Sequence, residues 1–271
     1  MTDLRDHGCA GRGRRPTTQC SGPELAVLAP AADAERYATT ITNMPSATLS
    51  FRDRGAAQAG GYVLAAAAVL VCLGLLFHPL PGGGFEERPS ILQNTPWWGP
   101  IHVAIAAGFV LCVLGSLLML VAGGSLTRGW GLAFAWGGMT VGMVFFVGVA
   151  LINGWVMHFL VGRGASETDR LLYDAFDRLL IGYGWLGNPL FLLGLTTLAV
   201  TEVRRPWLGL RRWIAWAGAA ASVLSWGRGI GSATGLFFLE PLIFANIPAF
   251  LWLGYAGLLI ARAARSMGNG S

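Results

Sequence analysis

Lysine is absent from this chain of 271 residues, so all 19 basic side chains are arginine. Charge of either sign is scarce. Charged residues are 12% of the total, where water-soluble domains carry about one in four. Apolar residues make up 54%, a balance that excludes water as the main solvent. Cysteine is also rare: Cys9 and Cys20 lie in a polar N-terminal stretch, Cys72 and Cys112 inside apolar runs. No two of the four are spaced as a zinc pair or a disulfide framework. The two in apolar runs read as small buried hydrophobes. Catalytic signatures are missing too. The glycine-rich strings lack a following Lys-Ser/Thr, and no nucleophile elbow, zinc-protease helix or Ser-His-acid constellation is legible. An enzyme with an aqueous cleft is therefore not expected, while chemistry inside a membrane stays open.

What is present is a series of long apolar runs. A helix needs about 20 mostly apolar residues to cross about 30 Å of hydrocarbon. Windows at 61–77, 101–122, 130–160, 179–200, 213–230 and 241–260 meet or approach that length. The expected fold is an all-α, polytopic membrane bundle of six spans over residues 56–265, with a short tail at 266–271. The first run stops at His78-Pro79, and Asn188-Pro189 interrupts the fourth, where proline removes a backbone donor. The segment 229–235, Gly-Ile-Gly-Ser-Ala-Thr-Gly, reads either as a turn or as a loose end of the fifth helix. Residues 1–55 are rich in Arg, Gly, Pro, Ser and Thr, and their best apolar stretch, 25–32, is broken by Pro30. They read as a polar leader, and Met44 offers an alternative native start.

The arginines orient the bundle. With the N-terminus inside, Arg52, Arg54, Arg128, Arg204, Arg205, Arg211, Arg212, Arg262 and Arg265 all fall on the inner side, against Arg88, Arg163, Arg170 and Arg178 outside. The positive-inside rule then predicts a cell inner-membrane protein with both termini cytoplasmic. The formal charge of +5 follows from those flanking arginines and does not call for nucleic acid as a partner; the lipid bilayer is the expected one. Trp97, Trp98, Trp130, Trp155, Trp185, Trp207 and Trp213 lie at span ends, where interfacial anchors belong. Gly138 and Gly142 form a small-xxx-small pair expected to pack inside the monomer. Between the third and fourth runs, Ser166 followed three residues later by Asp169 resembles a helix cap, opening an amphipathic outer helix that lies on the interface or leads into the fourth run.

Of four histidines, His78, His102 and His158 sit at span ends, all on the outer side of the six-span arrangement. Three imidazoles from adjacent helices at similar depth are how a bundle can hold zinc, copper or haem iron. Histidine also sits comfortably at the headgroup level, with its ring in the apolar layer and its nitrogens wet. Both readings stand at this point. Arg228 and Glu240 fall near the outer ends of the fifth and sixth runs and form a candidate ion pair, and Arg228 could hold an anionic group such as a haem propionate or a lipid headgroup. The outer loop after the first run, with Glu86, Glu87 and Trp97-Trp98, is a further place for binding. The functional expectation is a non-enzymatic membrane regulator, sensor or assembly partner. The alternatives are a haem- or copper-binding membrane protein using His78, His102 and His158, and a small-solute transporter with Asn188-Pro189 and Arg228 near its path.

Overall fold

In a computed structural model, residues 49–78, 88–162 and 166–267 are described, save the side chains of Arg88, Pro89, Ser232, Ala233, Phe237 and Glu240. The polar leader up to residue 48, Glu86 and Glu87, Arg163 and the last four residues lie outside that description, as does the Glu240 half of the expected ion pair. The described chain is almost wholly helical and contains no strand. All the helices belong to the unit Pro45–Ser271. They are α1 (Arg54–Leu76), α2 (Arg88–Gln93), α3 (Trp98–Ala122), α4 (Trp130–Leu151), α5 (His158–Gly162), α6 (Glu167–Arg204), α7 (Arg212–Thr234) and α8 (Asn246–Ser266).

Five segments are long and apolar enough to cross a membrane: α1, α3, Trp130–Val161, α6 and Pro241–Ser266. The fifth sequence window is helical as expected, but α7 is not among the five. Its middle is built of Ala, Gly and Ser, and it carries Arg228. Gly-Ile-Gly-Ser-Ala-Thr forms the last turns of α7, and Gly235 ends it in the left-handed region at φ 73°, where glycine has no Cβ to clash. The sixth window begins as a 3-10 segment, Phe237–Ala245 with Pro241 inside it, and becomes α8 only at Asn246. The amphipathic helix after the third window leads straight into the fourth: α6 runs unbroken from Glu167 through Pro189 to Arg204. Ser166 caps it, accepting from the Asp169 amide at 3.1 Å.

The helices form a ring. α1 packs on α3, α3 on α4, α4 on α6, α6 on α7, α7 on α8, and α8 returns to α1. Small residues make the seams close, because a glycine lets two helix backbones approach. A Cβ at Gly142 would lie 2.5 Å from the Phe191 amide and 2.8 Å from the Gly187 carbonyl, both on α6. The Gly138–Gly142 pair therefore serves packing within the chain. The first and last helices meet at Gly61 and Gly257, where a Cβ on Gly257 would lie 2.7 Å from the Gly61 carbonyl.

The two ends of the ring differ. At one, Arg54 donates to the Met267 carbonyl at 2.7 Å, joining the start of α1 to the end of α8. At the same end, Ser50 and Ser125 exchange bonds through the Ser50 amide and carbonyl at 2.9 and 2.8 Å, so residues 49–53 dock on the turn before α4. The α6–α7 turn at this end is held by Glu202, only 1% exposed. Its carboxylate accepts from the amides of Trp207, Leu208 and Leu210, each at 2.8 Å, and Gly209 at φ 68° curls the chain around it. This is the arginine-rich end. The opposite end carries His78, His102 and His158.

The outward faces are apolar, with Val69, Leu117, Val121 and Val144 more than 40% exposed; these are the surfaces that meet lipid. Two tryptophans depart from the interfacial belt expected of them. Trp98 is 1% and Trp207 8% exposed, whereas Trp130, Trp155 and Trp213 are each more than 60% exposed. A position at a span end does not say whether the ring turns outward or into the bundle. Cys72 and Cys112 are both free and buried, as their apolar neighbourhoods imply.

Candidate functional site: a cavity walled by six helices

α1 ends at Leu76, and His78 follows it at the rim of the ring. His102 lies one turn into α3, four residues after Trp98, so the two share a helix face. His102 Nδ1 donates to the Trp98 carbonyl at 2.8 Å; a carbonyl only accepts, which fixes the proton on Nδ1. In the neutral ring Nε2 then carries the lone pair. That atom lies 3.3 Å from His78 Nε2 and 3.0 Å from the Asn153 side-chain nitrogen. The three rings are mutually packed, with centroids 5.1 Å apart for His78 and Trp98, 4.9 Å for His78 and His102, and 4.6 Å for Trp98 and His102.

Asn153 reaches this cluster because the helix changes its winding there. Ile152–Met157 is a π-helical turn between α4 and α5, a rare form that occurs frequently at functional sites. The Trp98 indole Nε1 donates to the Asn153 carbonyl at 3.0 Å, tying α3 to the π turn. Gly154 is required by the same contact: a Cβ there would collide with His102 Cβ and lie 2.8 Å from its Cγ.

Beneath the cluster is a cavity of about 390 Å³, within the range of small-molecule sites. All six ring helices contribute to its wall, from Leu75 of α1 to Phe250 of α8. Its apolar part is a chain of four rings, with centroid separations of 5.4 Å for Phe109–Phe146, 6.0 Å for Phe146–Phe191 and 5.3 Å for Phe191–Phe250. Its polar part gathers His78, His102, Asn153, Tyr173, Asp177, Asn188, Ser225, Arg228 and Asn246. Arg228 is exposed as well as lining the cavity. Asn188 meets α7 at Gly229, where a Cβ would run into the Asn188 side-chain nitrogen.

Of the residues singled out by sequence, His78, His102 and Arg228 thus face one cavity. His158 does not line it, and its buried Nδ1 finds no hydrogen-bond partner among the described residues. Among those residues no group of three or more His, Cys, Asp or Glu side chains is placed to hold a metal ion. Three members of the site carried little or no sequence signal. Trp98 reads in the sequence as an interfacial anchor, and Asn153 and Asn246 as polar residues inside apolar runs. The Trp98–His102 spacing of four was the one available clue. Comparison with protein families, with curated proteins and with solved structures returns no match, so the site is read from its own geometry.

Proposed function

We propose that the chain is a non-enzymatic integral membrane protein that works by holding a small ligand inside its helix ring, as a sensor or a binding partner of other membrane components. The observation that carries this reading is the cavity itself: one space receives side chains from all six helices, so an occupant contacts every element of the ring at once. Such a ligand couples the helices to one another, because binding favours whichever arrangement of the ring it fits best. The lining suits an amphiphile, with the phenylalanine rings taking its apolar body and the polar cluster its head. No nucleic-acid partner is implied, since the arginines sit at helix ends. In this reading the arginine-rich end faces the cytoplasm of a cell whose inner membrane holds the protein, by the positive-inside rule.

The test uses Gly184, which lines the cavity and whose added Cβ would meet nothing within 4 Å. Gly184→Phe fills the space without moving backbone. Native mass spectrometry of the detergent-purified protein is expected to detect a retained small molecule in the natural chain and none in Gly184→Phe at unchanged melting temperature. Equal retention, or an empty natural chain, rejects the reading. A transport role is the second reading, favoured by Asn188, Pro189 and Arg228 sharing the cavity wall, since charge inside a membrane marks substrate paths. Movement of the retained molecule across proteoliposomes, abolished by Gly184→Phe, would select it.

A further inference from the structure

We infer that His78, His102 and Asn153 form a binding site for a divalent transition-metal ion of the zinc and copper class, with its remaining coordination position open to the cavity. The inference deepens the ligand-binding reading, because it gives the polar end of the cavity a chemistry. Its basis is the crowding around one atom. His102 Nε2, held as the lone-pair nitrogen by the Nδ1 bond to Trp98, has two neighbours within bonding distance, His78 Nε2 at 3.3 Å and the Asn153 amide at 3.0 Å. One in-plane lone pair serves one hydrogen-bond donor; with the Asn153 amide in that place, His78 Nε2 stands beside it either as a second donor or as a lone pair facing a lone pair.

A cation among the three resolves that competition. Two nitrogens bound to a tetrahedral ion at about 2.0–2.1 Å stand about 3.3–3.4 Å apart, and the two Nε2 atoms are 3.3 Å apart. The third ligand is the Asn153 amide oxygen, reached by exchanging the oxygen and nitrogen of that amide, two orientations that occupy the same volume. The outer supports of a metal site are in place as well. Ligand histidines commonly donate their second nitrogen to a backbone carbonyl, which fixes the ring; His102 does so to Trp98. Imidazole suits zinc, copper, iron and nickel.

The same spacing speaks against haem held by both histidines. Nitrogens on opposite sides of one iron stand about 4 Å apart, twice the bond length, with a porphyrin plane between the rings. Here the rings are in direct edge contact, centroids 4.9 Å apart at 61°. His158, which does not line the cavity, has no place in the set.

The experiment is a cobalt titration of the full chain, purified in detergent and stripped with chelator, read by visible absorption. Tetrahedral Co²⁺ gives far stronger d–d bands than the hydrated ion, because a tetrahedral site lacks the inversion centre that keeps the octahedral bands weak. We expect one equivalent to produce them. They should vanish in His78→Ala and His102→Ala, weaken in apparent affinity in Trp98→Phe, which keeps the carbonyl that holds His102 but loses the indole bond to the Asn153 backbone, and persist in His158→Ala. His78 lies beyond the last turn of α1, so His78→Ala leaves the seams intact, and its melting temperature confirms that the fold is unchanged. Absence of the bands in the natural chain, or their survival in His78→Ala, overturns the inference. A metal-blind protein that still retains a cavity ligand loses the metal site and keeps the ligand-binding reading; one that binds cobalt but retains no cavity ligand does the reverse.

Discussion

Trp98 and Asn153 are joined by a single bond, indole Nε1–H to backbone carbonyl at 3.0 Å, and that bond ties α3, which carries His102, to the π turn that carries Asn153. It is the partner for a carbonyl in a π turn, where the regular i→i+4 ladder is broken.

Trp98→Phe keeps the apolar ring and deletes the donor. The Asn153 carbonyl then loses that donor in a half-buried setting, at a cost of about 1 kcal/mol. The expected outcome is a lower melting temperature in detergent. Trp98→Phe melting like the natural chain would mean that the π turn is held by other means.

Gly154→Ala tests the close approach of the π turn to His102. The added Cβ would overlap His102 Cβ, and overpacking of this kind costs about 1–3 kcal/mol. Gly137→Ala on α4 is the comparison, because a Cβ there meets nothing within 4 Å and alanine favours a helix interior by about 1 kcal/mol. The two substitutions should move the melting temperature in opposite directions. Only Gly154→Ala should also change the fluorescence of the buried Trp98.

Glu202 organises the arginine-rich end by accepting three backbone amides. Glu202→Ala leaves the amides of Trp207, Leu208 and Leu210 without that acceptor, and each unsatisfied buried donor costs about 1–3 kcal/mol. Glu202→Gln should fall between the two. Its one carbonyl oxygen can serve Trp207 and Leu208, which share Oε2, but its NH2 group then faces the Leu210 amide. Limited proteolysis in the 205–211 turn is the readout, with cleavage rising in the order natural chain, Gln, Ala. An unchanged pattern in the alanine variant would remove Glu202 from this role.

Much of the helical plan was legible because a membrane span declares itself by length and apolarity. The parts that were not legible depend on direction around a helix axis. His78 and His102 could be put at one end by counting alternate spans, yet their contact depends on which faces α1 and α3 turn to each other. The same ambiguity disguised Trp98 as an interfacial anchor. Ile-Asn-Gly-Trp-Val-Met reads as ordinary helix, and nothing in its composition announces the π turn that swings Asn153 toward His102. The 3-10 start of the last span is different: Pro241 flagged an irregular stretch, though not its geometry. Which helices are neighbours is set by seams of small residues, and in a chain with 39 glycines the productive pairs do not stand out.

Closure of the ring rests on the last of these seams. A Cβ on Gly61 would collide with the Gly257 carbonyl and lie 2.8 Å from Ala261 Cβ, and a Cβ on Gly257 would crowd the Gly61 carbonyl in return. Two helices this close cannot yield without separating, so Gly61→Ala and Gly257→Ala should each destabilise, by about 1–3 kcal/mol if the packing yields locally. Because both insert a methyl into one contact, the second substitution acts on a seam already opened by the first. The double variant should therefore cost less than the sum of the singles, with a coupling of about 0.5 kcal/mol or more. Additive effects on unfolding would mean that α1 and α8 accommodate each methyl independently, and the seam would then not be the element that holds first and last helix together.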